Sequence, residues 1–134
     1  MSAWALQTAI KDALGANAGL IALMGSPVKV FDAVPAGAAR PYIAFAEWRS
    51  DEDGSDDARL DRHSFALRVS SEHQGVKEAK AIAAQIESAL HNAALTLMGA
   101  TLVDLALVGS AFGRDEAQNL SFGEVRFRAL TQGG

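Results

Sequence analysis

The sequence predicts an α+β domain, in which two main helices pack on one face of a mostly antiparallel sheet of about five strands. Apolar residues recur at helical spacing near the N-terminus and again after residue 74, whereas elsewhere they alternate with polar residues. Short turn-forming segments separate most of the alternating stretches. The 134 residues are expected to form one domain, 1–134, without internal repeats or a low-complexity linker.

The helices are predicted from stripes of apolar residues. In the first helix Leu6, Ile10 and Leu14 share a face, Ser2 occupies an N-cap position, and Gly15 supplies a stop. A short helical turn, AGLIALMG, follows. The segment after Gln74 contains the longest stripe, formed by Val76, Ala79, Ile82, Ala83, Ile86 and Leu90.

Five segments are predicted to be strands: VKVFDAV, YIAFAEW, HSFALRVSS, ATLVDLALVGSAF and FGEVRFRALT. By parity, Tyr42 and Trp48 share one face of the second strand, and Val103, Leu105 and Leu107 share one face of the fourth. Only the long helix provides a connection long enough for a parallel crossover, so the other neighbouring strands are expected to be antiparallel.

Composition excludes several classes of protein. The net charge of −4 argues against a dedicated nucleic-acid binder, which needs a basic surface for phosphate contacts. The chain has no cysteine and therefore no disulfide framework or thiolate metal site. No basic, continuously apolar N-terminal segment indicates secretion, and no apolar run is long enough to span a bilayer. We therefore expect no membrane association.

The most unusual segment is EWRSDEDGSDDARLDRH, which concentrates acidic residues between two predicted strands. The hypotheses are a calcium loop, an acidic catalytic cluster or a solvated hairpin tip. If Gly54 took the glycine position of an EF-hand loop, Arg49 and Leu60 would occupy positions that require carboxylates. A solvated loop is therefore favoured. Its candidate partner-facing residues are Asp51, Glu52, Asp53, Asp56 and Asp57.

Asp61, His63 and Ser64 raise the alternative of hydrolytic catalysis. Residues two apart on a strand share a face, so Asp61 and His63 could interact, but Ser64 would point to the other side. No nucleophile elbow, zinc-binding helix motif or phosphate-binding glycine loop is present. We expect no catalytic residue, no bound metal and no cofactor.

Three arginines lie on the polar sides of predicted strands. Arg68, Arg126 and Arg128 alternate with apolar residues, while many of the acids lie in one loop. These arginines either form an ordinary solvated sheet face or contact acidic groups of another subunit.

The order and spacing of these segments resemble the tail terminator, or tail completion, proteins of long-tailed phages and phage-derived gene transfer agents. The resemblance runs nearly end to end. It rests on ALQTAIKDAL, the strand pair VFDAVP and PYIAF, the strand HSFALRV followed by GVKEA at the start of a helix, and the final GEVRFRAL. None of these segments is a catalytic signature.

The resemblance implies a small α+β domain that assembles into a homohexameric ring on the head-proximal end of a tail tube. Such a ring stops tube polymerisation, docks the head-tail connector or stopper protein, and lets DNA pass through its lumen without specific binding. The implied location is the cytoplasm of the bacterial host during assembly and afterwards the virion or gene-transfer-agent tail.

The charges agree with this implied role. A ring with heterologous contacts needs two different patches on each subunit, which the separated acids and arginines could supply. An acidic loop in the lumen would repel DNA phosphates. Two other classes remain: a small acidic adaptor that binds a partner as a monomer, and a carboxylate-dependent metal hydrolase.

Overall fold

The computed structural model describes residues 2–52 and 59–133. The elements follow the chain as α1 (Ala3–Gly15), α2 (Ala18–Met24), β1 (Val30–Phe31), β2 (Tyr42–Glu52), β3 (Leu60–Ser71), α3 (Lys77–Leu90), β4 (Thr101–Asp115) and β5 (Leu120–Gln132). The predicted α+β class and the sheet of five strands are confirmed. Among the described helices, none combines the length and apolar character that a bilayer crossing requires.

The strands lie in the order β1-β2-β3-β5-β4. The four long strands pair antiparallel with one another, as expected. The short strand β1 is different, because it pairs parallel to β2 at Ile43 and Ala44. The expectation that only the long helix would make a parallel connection is therefore wrong: the loop between Phe31 and Tyr42 is long enough to return the chain to the same end of the sheet.

The core lies between one face of the sheet and the helices. Leu6, Ile10 and Leu14 of α1, together with the buried stripe of α3, pack in one cluster with alternate residues of β3 and β5. Phe65 and Phe127, paired across these strands, stack with ring centroids 5.7 Å apart. We call the opposite side of the sheet the helix-free face.

A glycine on β5 allows close packing on the core side. A Cβ atom at Gly123 would lie 2.8 Å from the ring of Phe112 and 3.6 Å from the carbonyl oxygen of Ala79 in α3. The first of these distances is shorter than van der Waals contact, so a larger residue would displace the Phe112 ring beneath the helix.

A bulge in β2 overturns the prediction that Tyr42 and Trp48 share a face. The register shifts between Ala46 and Trp48, and Glu47 adopts a left-handed φ of 42°. Because one extra residue reverses the alternation, Trp48 turns into the core and stacks on Phe65 at 4.5 Å. Tyr42 pairs with Ser70 on the helix-free face.

Bulges in β4 correct a second parity prediction. The register shifts between Leu102 and Asp104 and again between Leu107 and Gly109. Leu105 is buried, but Val103 falls at the first shift and is 51% exposed. Val103 therefore does not share the buried face of Leu105, as strict alternation predicted.

The two strands that flank the acidic segment are longer than expected. The predicted strand YIAFAEW ends at Trp48 and HSFALRVSS begins at His63, but β2 continues to Glu52 and β3 already begins at Leu60. Asp51 pairs with Arg62, and Glu52 pairs with Asp61 across the two strands. The predicted partner-facing residues Asp53, Asp56 and Asp57 lie outside the described residues.

Candidate interaction surfaces

The helix-free face carries a chain of ion pairs across three strands. Arg68 on β3 lies opposite Glu124 on β5 and donates a hydrogen bond to its carboxylate at 2.9 Å. Arg126, two residues further along β5, donates to Glu124 at 3.4 Å and to Glu47 at 3.0 Å. The β2 bulge places Glu47 within reach, so these charges are paired inside one subunit.

A ring contact further restrains one of these arginines. The guanidinium of Arg68 lies 4.1 Å from the ring centre of Phe122, its diagonal neighbour on β5. A cation over an aromatic face is attracted to the ring electrons. Arg68 is therefore held by a carboxylate and an aromatic ring of its own chain.

The third predicted arginine is in a different environment. Arg128 is exposed and lines an open cavity of about 290 Å³ with Asp51, Arg62, Asp104 and Leu130. The ion pairs found within residues 2–52 and 59–133 do not include Arg128. All three arginines lie on the helix-free face, but Arg128 alone has no carboxylate partner in the described part of its own chain.

Asp51 and Glu52, the candidate partner-facing residues that the structure describes, are exposed to solvent. The carboxylate of Asp51 accepts a hydrogen bond from Arg49 at 2.8 Å, and this bond holds the pKa of Asp51 below its ordinary value. In the part of the chain that the structure describes, no three acidic or histidine side chains come close enough to hold a metal ion.

Asp61 and His63 share a face, as their spacing predicts, and that face is buried. Asp61 is 3% exposed and His63 is 1% exposed, while Ser64 lies on the opposite side, at the cavity beside Arg128. Ser2 joins them: its hydroxyl donates to the Asp61 carboxylate at 2.9 Å and lies 3.3 Å from Nε2 of His63.

Two further hydroxyl groups complete this buried polar cluster. Thr131 Oγ1 lies 2.6 Å from Ser2 Oγ and 3.0 Å from His63 Nε2, and Ser50 Oγ lies 2.7 Å from His63 Nδ1. Ser50 also accepts a hydrogen bond from the indole of Trp48 at 2.8 Å. Both ring nitrogens of the histidine are thus engaged, and burial lowers the pKa of His63.

The cluster does not have the geometry of a catalytic triad. In a triad the aspartate orients the histidine, which in turn activates the serine. Here Ser50 occupies Nδ1 of His63, and the Ser2 hydroxyl donates to Asp61 instead. All of these side chains except Ser50 are nearly inaccessible, so the arrangement attaches the N-terminus to β3 and β5.

The buried polar cluster explains why the Ser2 side chain does not cap α1. Ser2 precedes the helix at the N-cap position, yet its side chain makes no capping hydrogen bond. Sequence analysis identified Asp61 and His63 but not Ser2, Ser50 or Thr131 as their partners. Thr131 has the parity of Phe127 on β5, so extending the alternation would have placed it on the buried face.

An exposed apolar groove runs along α1, beside the segment that precedes β4. Trp4 is 66% exposed and Met98 is 90% exposed. They line a groove of about 400 Å³ with Thr8, Asp12 and Thr96. Exposed tryptophan and methionine are more frequent at protein interfaces than on the rest of a protein surface.

Comparisons with known proteins agree with the overall fold. No curated protein matches the chain. Among solved structures, a chain from the virion of a native gene transfer agent particle is 32% identical and superposes with a TM-score of 0.89. The match covers 98% of each chain. The family model of tail completion protein gp17 matches residues 8–132, nearly the whole sequence, and the chain therefore belongs to the tail completion protein gp17 family.

Proposed function

We propose that this protein forms a homohexameric ring that caps the head-proximal end of a tail tube and joins it to the head connector or stopper protein. The observation that carries this proposal is the match to a virion chain over 98% of both chains. A protein of this family is a structural component of a phage-type tail.

The charge distribution supports a ring of identical subunits. A heterologous contact requires two complementary patches on each subunit, and repetition around a closed axis satisfies both. The helix-free face displays paired charges of both signs, whereas Arg128 lacks an internal partner among the described residues. The groove at Trp4 lies on α1, away from that face, and is available to the tail tube or the connector.

The acidic hairpin has a role in the same proposal. Its candidate residues are Asp51, Glu52, Asp53, Asp56 and Asp57. Carboxylates directed toward the lumen would repel DNA phosphates and allow DNA to slide through without binding. Sites that held DNA would instead slow its passage.

Deletion of the gene, followed by electron microscopy of the particles, tests this function. We expect full heads, unjoined tails and many overlong tubes, because nothing would stop polymerisation. Re-expression of the wild-type chain should restore joined particles with rings of 84 kDa, six times 14.0 kDa. Normal infectious or transducing particles in the deletion strain would refute the proposal, and a chain that remains monomeric on assembled tails would favour a monomeric adaptor.

The deletion strain also tests the hairpin. A variant in which Glu52, Asp53, Asp56 and Asp57 are replaced by Asn or Gln, with Asp51 kept, should restore joining but slow DNA ejection, and added salt should reduce the difference from wild type. Unchanged ejection at low salt would show that the hairpin is solvated surface without this role.

A further inference from the structure

Both edges of the sheet are covered over part of their length and bare over the rest. On the first edge, β1 covers β2 only at Ile43 and Ala44. Residues 45–52 of β2 have a strand neighbour only on the β3 side. Within the described residues, no backbone hydrogen bond from another segment reaches this stretch.

The opposite edge, β4, is covered in its first half by the segment after α3. The N–H of Asn92 donates to the carbonyl of Leu105 at 2.8 Å, and the N–H of Leu107 donates to Nδ1 of His91 at 3.0 Å. Thr96 also bridges to Thr101. From residue 108 to 115, β4 has no such partner in the part of the chain that the structure describes.

The bare part of β4 begins at the bulge between Leu107 and Gly109 and ends at two charged residues, Arg114 and Asp115. Its middle lacks other features that protect strand edges in soluble monomers. Such edges are kept short, covered, or supplied with charged residues and prolines. Residues 108–113 contain no charged residue and no proline, and Val108 is 57% exposed. An uncharged, unpaired strand edge favours pairing with another strand.

The directions of the two edges suit a repeated head-to-tail contact. The long strands β2, β3, β5 and β4 alternate in direction, so β2 and β4 run opposite to each other. Rotation about an axis close to the strand direction preserves these directions in the next copy. We infer that residues 108–115 of β4 pair antiparallel with residues 45–52 of β2 in the next copy of the chain, an inference that rests on the proposed ring.

The positions of the two bare stretches agree with closure of such a sheet. The centre of the β4 stretch is level with Gly123 and Glu124 of β5, and the centre of the β2 stretch is level with Phe127 and Arg128. The two centres are offset along the strand direction by about four residues, or about 14 Å. This offset arises across four strand spacings, a width of about 19 Å. The resulting strand tilt is about 35°, within the range by which sheets close into barrels.

Charges on the helix-free face fit the same register. Aligning the two centres places Arg49 of one copy opposite Ala111 of the other, and Asp51 opposite Gly109. Within one chain, Ala111 pairs with Glu124 and Gly109 pairs with Arg126. Because alanine and glycine are small, Arg49 can approach Glu124 and Asp51 can approach Arg126, each meeting a charge of opposite sign.

Engineered disulfides test the contact, and the natural absence of cysteine makes the background clean. Arg49→Cys and Ala111→Cys are made in separate chains, mixed, assembled on tail tubes and oxidised. Disulfides need Cα atoms within about 7 Å, whereas β2 and β4 of one chain are three strand spacings, about 14 Å, apart. We expect a covalent dimer that contains one chain of each variant.

Controls separate this inference from the proposed ring. Asp51→Cys with Gly109→Cys repeats the test two residues along, and Ser88→Cys, at an exposed position on α3, serves as the negative control. Covalent dimers of Ala111→Cys alone would indicate a symmetric β4–β4 contact and overturn the inference. Rings visible in micrographs without mixed dimers would overturn it while leaving the ring intact, and absence of both rings and mixed dimers would overturn the ring as well.

Discussion

His63 is a buried titratable group whose surroundings favour the neutral ring. Its imidazole lies between Ser50 and Thr131, and burial lowers its pKa below the ordinary 6.5, with a smaller opposing effect from Asp61. Well above pH 6.5 the ring is neutral in both the folded and the unfolded chain. As the pH falls below 6.5, the unfolded chain takes up the proton first, so stability decreases toward the folded pKa.

We expect His63→Gln to reduce this pH dependence. The amide can still donate to one hydroxyl and accept from another but does not titrate. Urea unfolding at pH 7.5 and 5.5 measures the change in the free energy of unfolding, with His73→Gln as a control at an exposed position. If wild type and His63→Gln lose the same stability on acidification, groups other than His63 cause the loss.

At the scale of elements, the bulge at Glu47 determines what β2 presents on each face. It turns Trp48 and Ser50 toward the core, and it brings the Glu47 carboxylate to Arg126. A left-handed φ costs an ordinary L-residue roughly 1–2 kcal/mol and costs glycine almost nothing. The surrounding pairing of β2 with β3 maintains this conformation.

Comparison of Glu47→Gly with Glu47→Val tests the bulge. Both variants lose the exposed ion pair with Arg126, so the difference between them reports on the backbone. We expect Glu47→Val to be less stable than Glu47→Gly by about 1–2 kcal/mol, because β-branched side chains strongly disfavour positive φ. Urea titration with circular dichroism measures both. Equal midpoints would mean that the bulge rearranges without cost.

At the scale of the whole molecule, the three arginines differ in the partners they have within their own chain. Arg68 and Arg126 are paired within the chain, so their substitution affects the subunit as well as any assembly. The proposed edge contact brings a further carboxylate, Asp51 of the next copy, toward Arg126. The predicted subunit-interface role of Arg68, Arg126 and Arg128 stays a prediction.

A charge swap tests assembly at this scale. Asp51→Arg alone should prevent ring formation, because it places like charges beside Arg126 of the next copy. Arg126→Asp alone should also weaken the ring, and the double variant should restore it, since every joint then regains an opposite pair. Analytical ultracentrifugation measures the rings, with Asp12→Arg on α1 as a matched charge control. Failure of the double variant to assemble better than either single variant would contradict the proposed register.

Local patterns carried enough information for much of the fold. The stripe from Ala79 to Leu90 identified α3, and the alternation around Phe65 and Phe127 identified β3, β5 and their buried faces, because burial of one face imposes a period on the sequence. The same alternation placed Arg68, Arg126 and Arg128 on the opposite face. The spacing of Asp61, His63 and Ser64 correctly predicted that the first two share one face of β3 and that Ser64 lies on the other face.

The tertiary structure decided features that have no local period. Bulges at Glu47 and in β4 reversed the expected positions of Trp48 and Val103, because one inserted residue changes the face of every residue that follows it. The partners of His63 come from residues 2, 50 and 131, distant in sequence, and only strand pairing brings them together. The bare strand edges likewise depend on which strands lie outermost and on how far β1 and the segment after α3 cover them. Backbone hydrogen bonding between distant segments leaves no pattern in the sequence of either segment, so the sequence did not predict these edges.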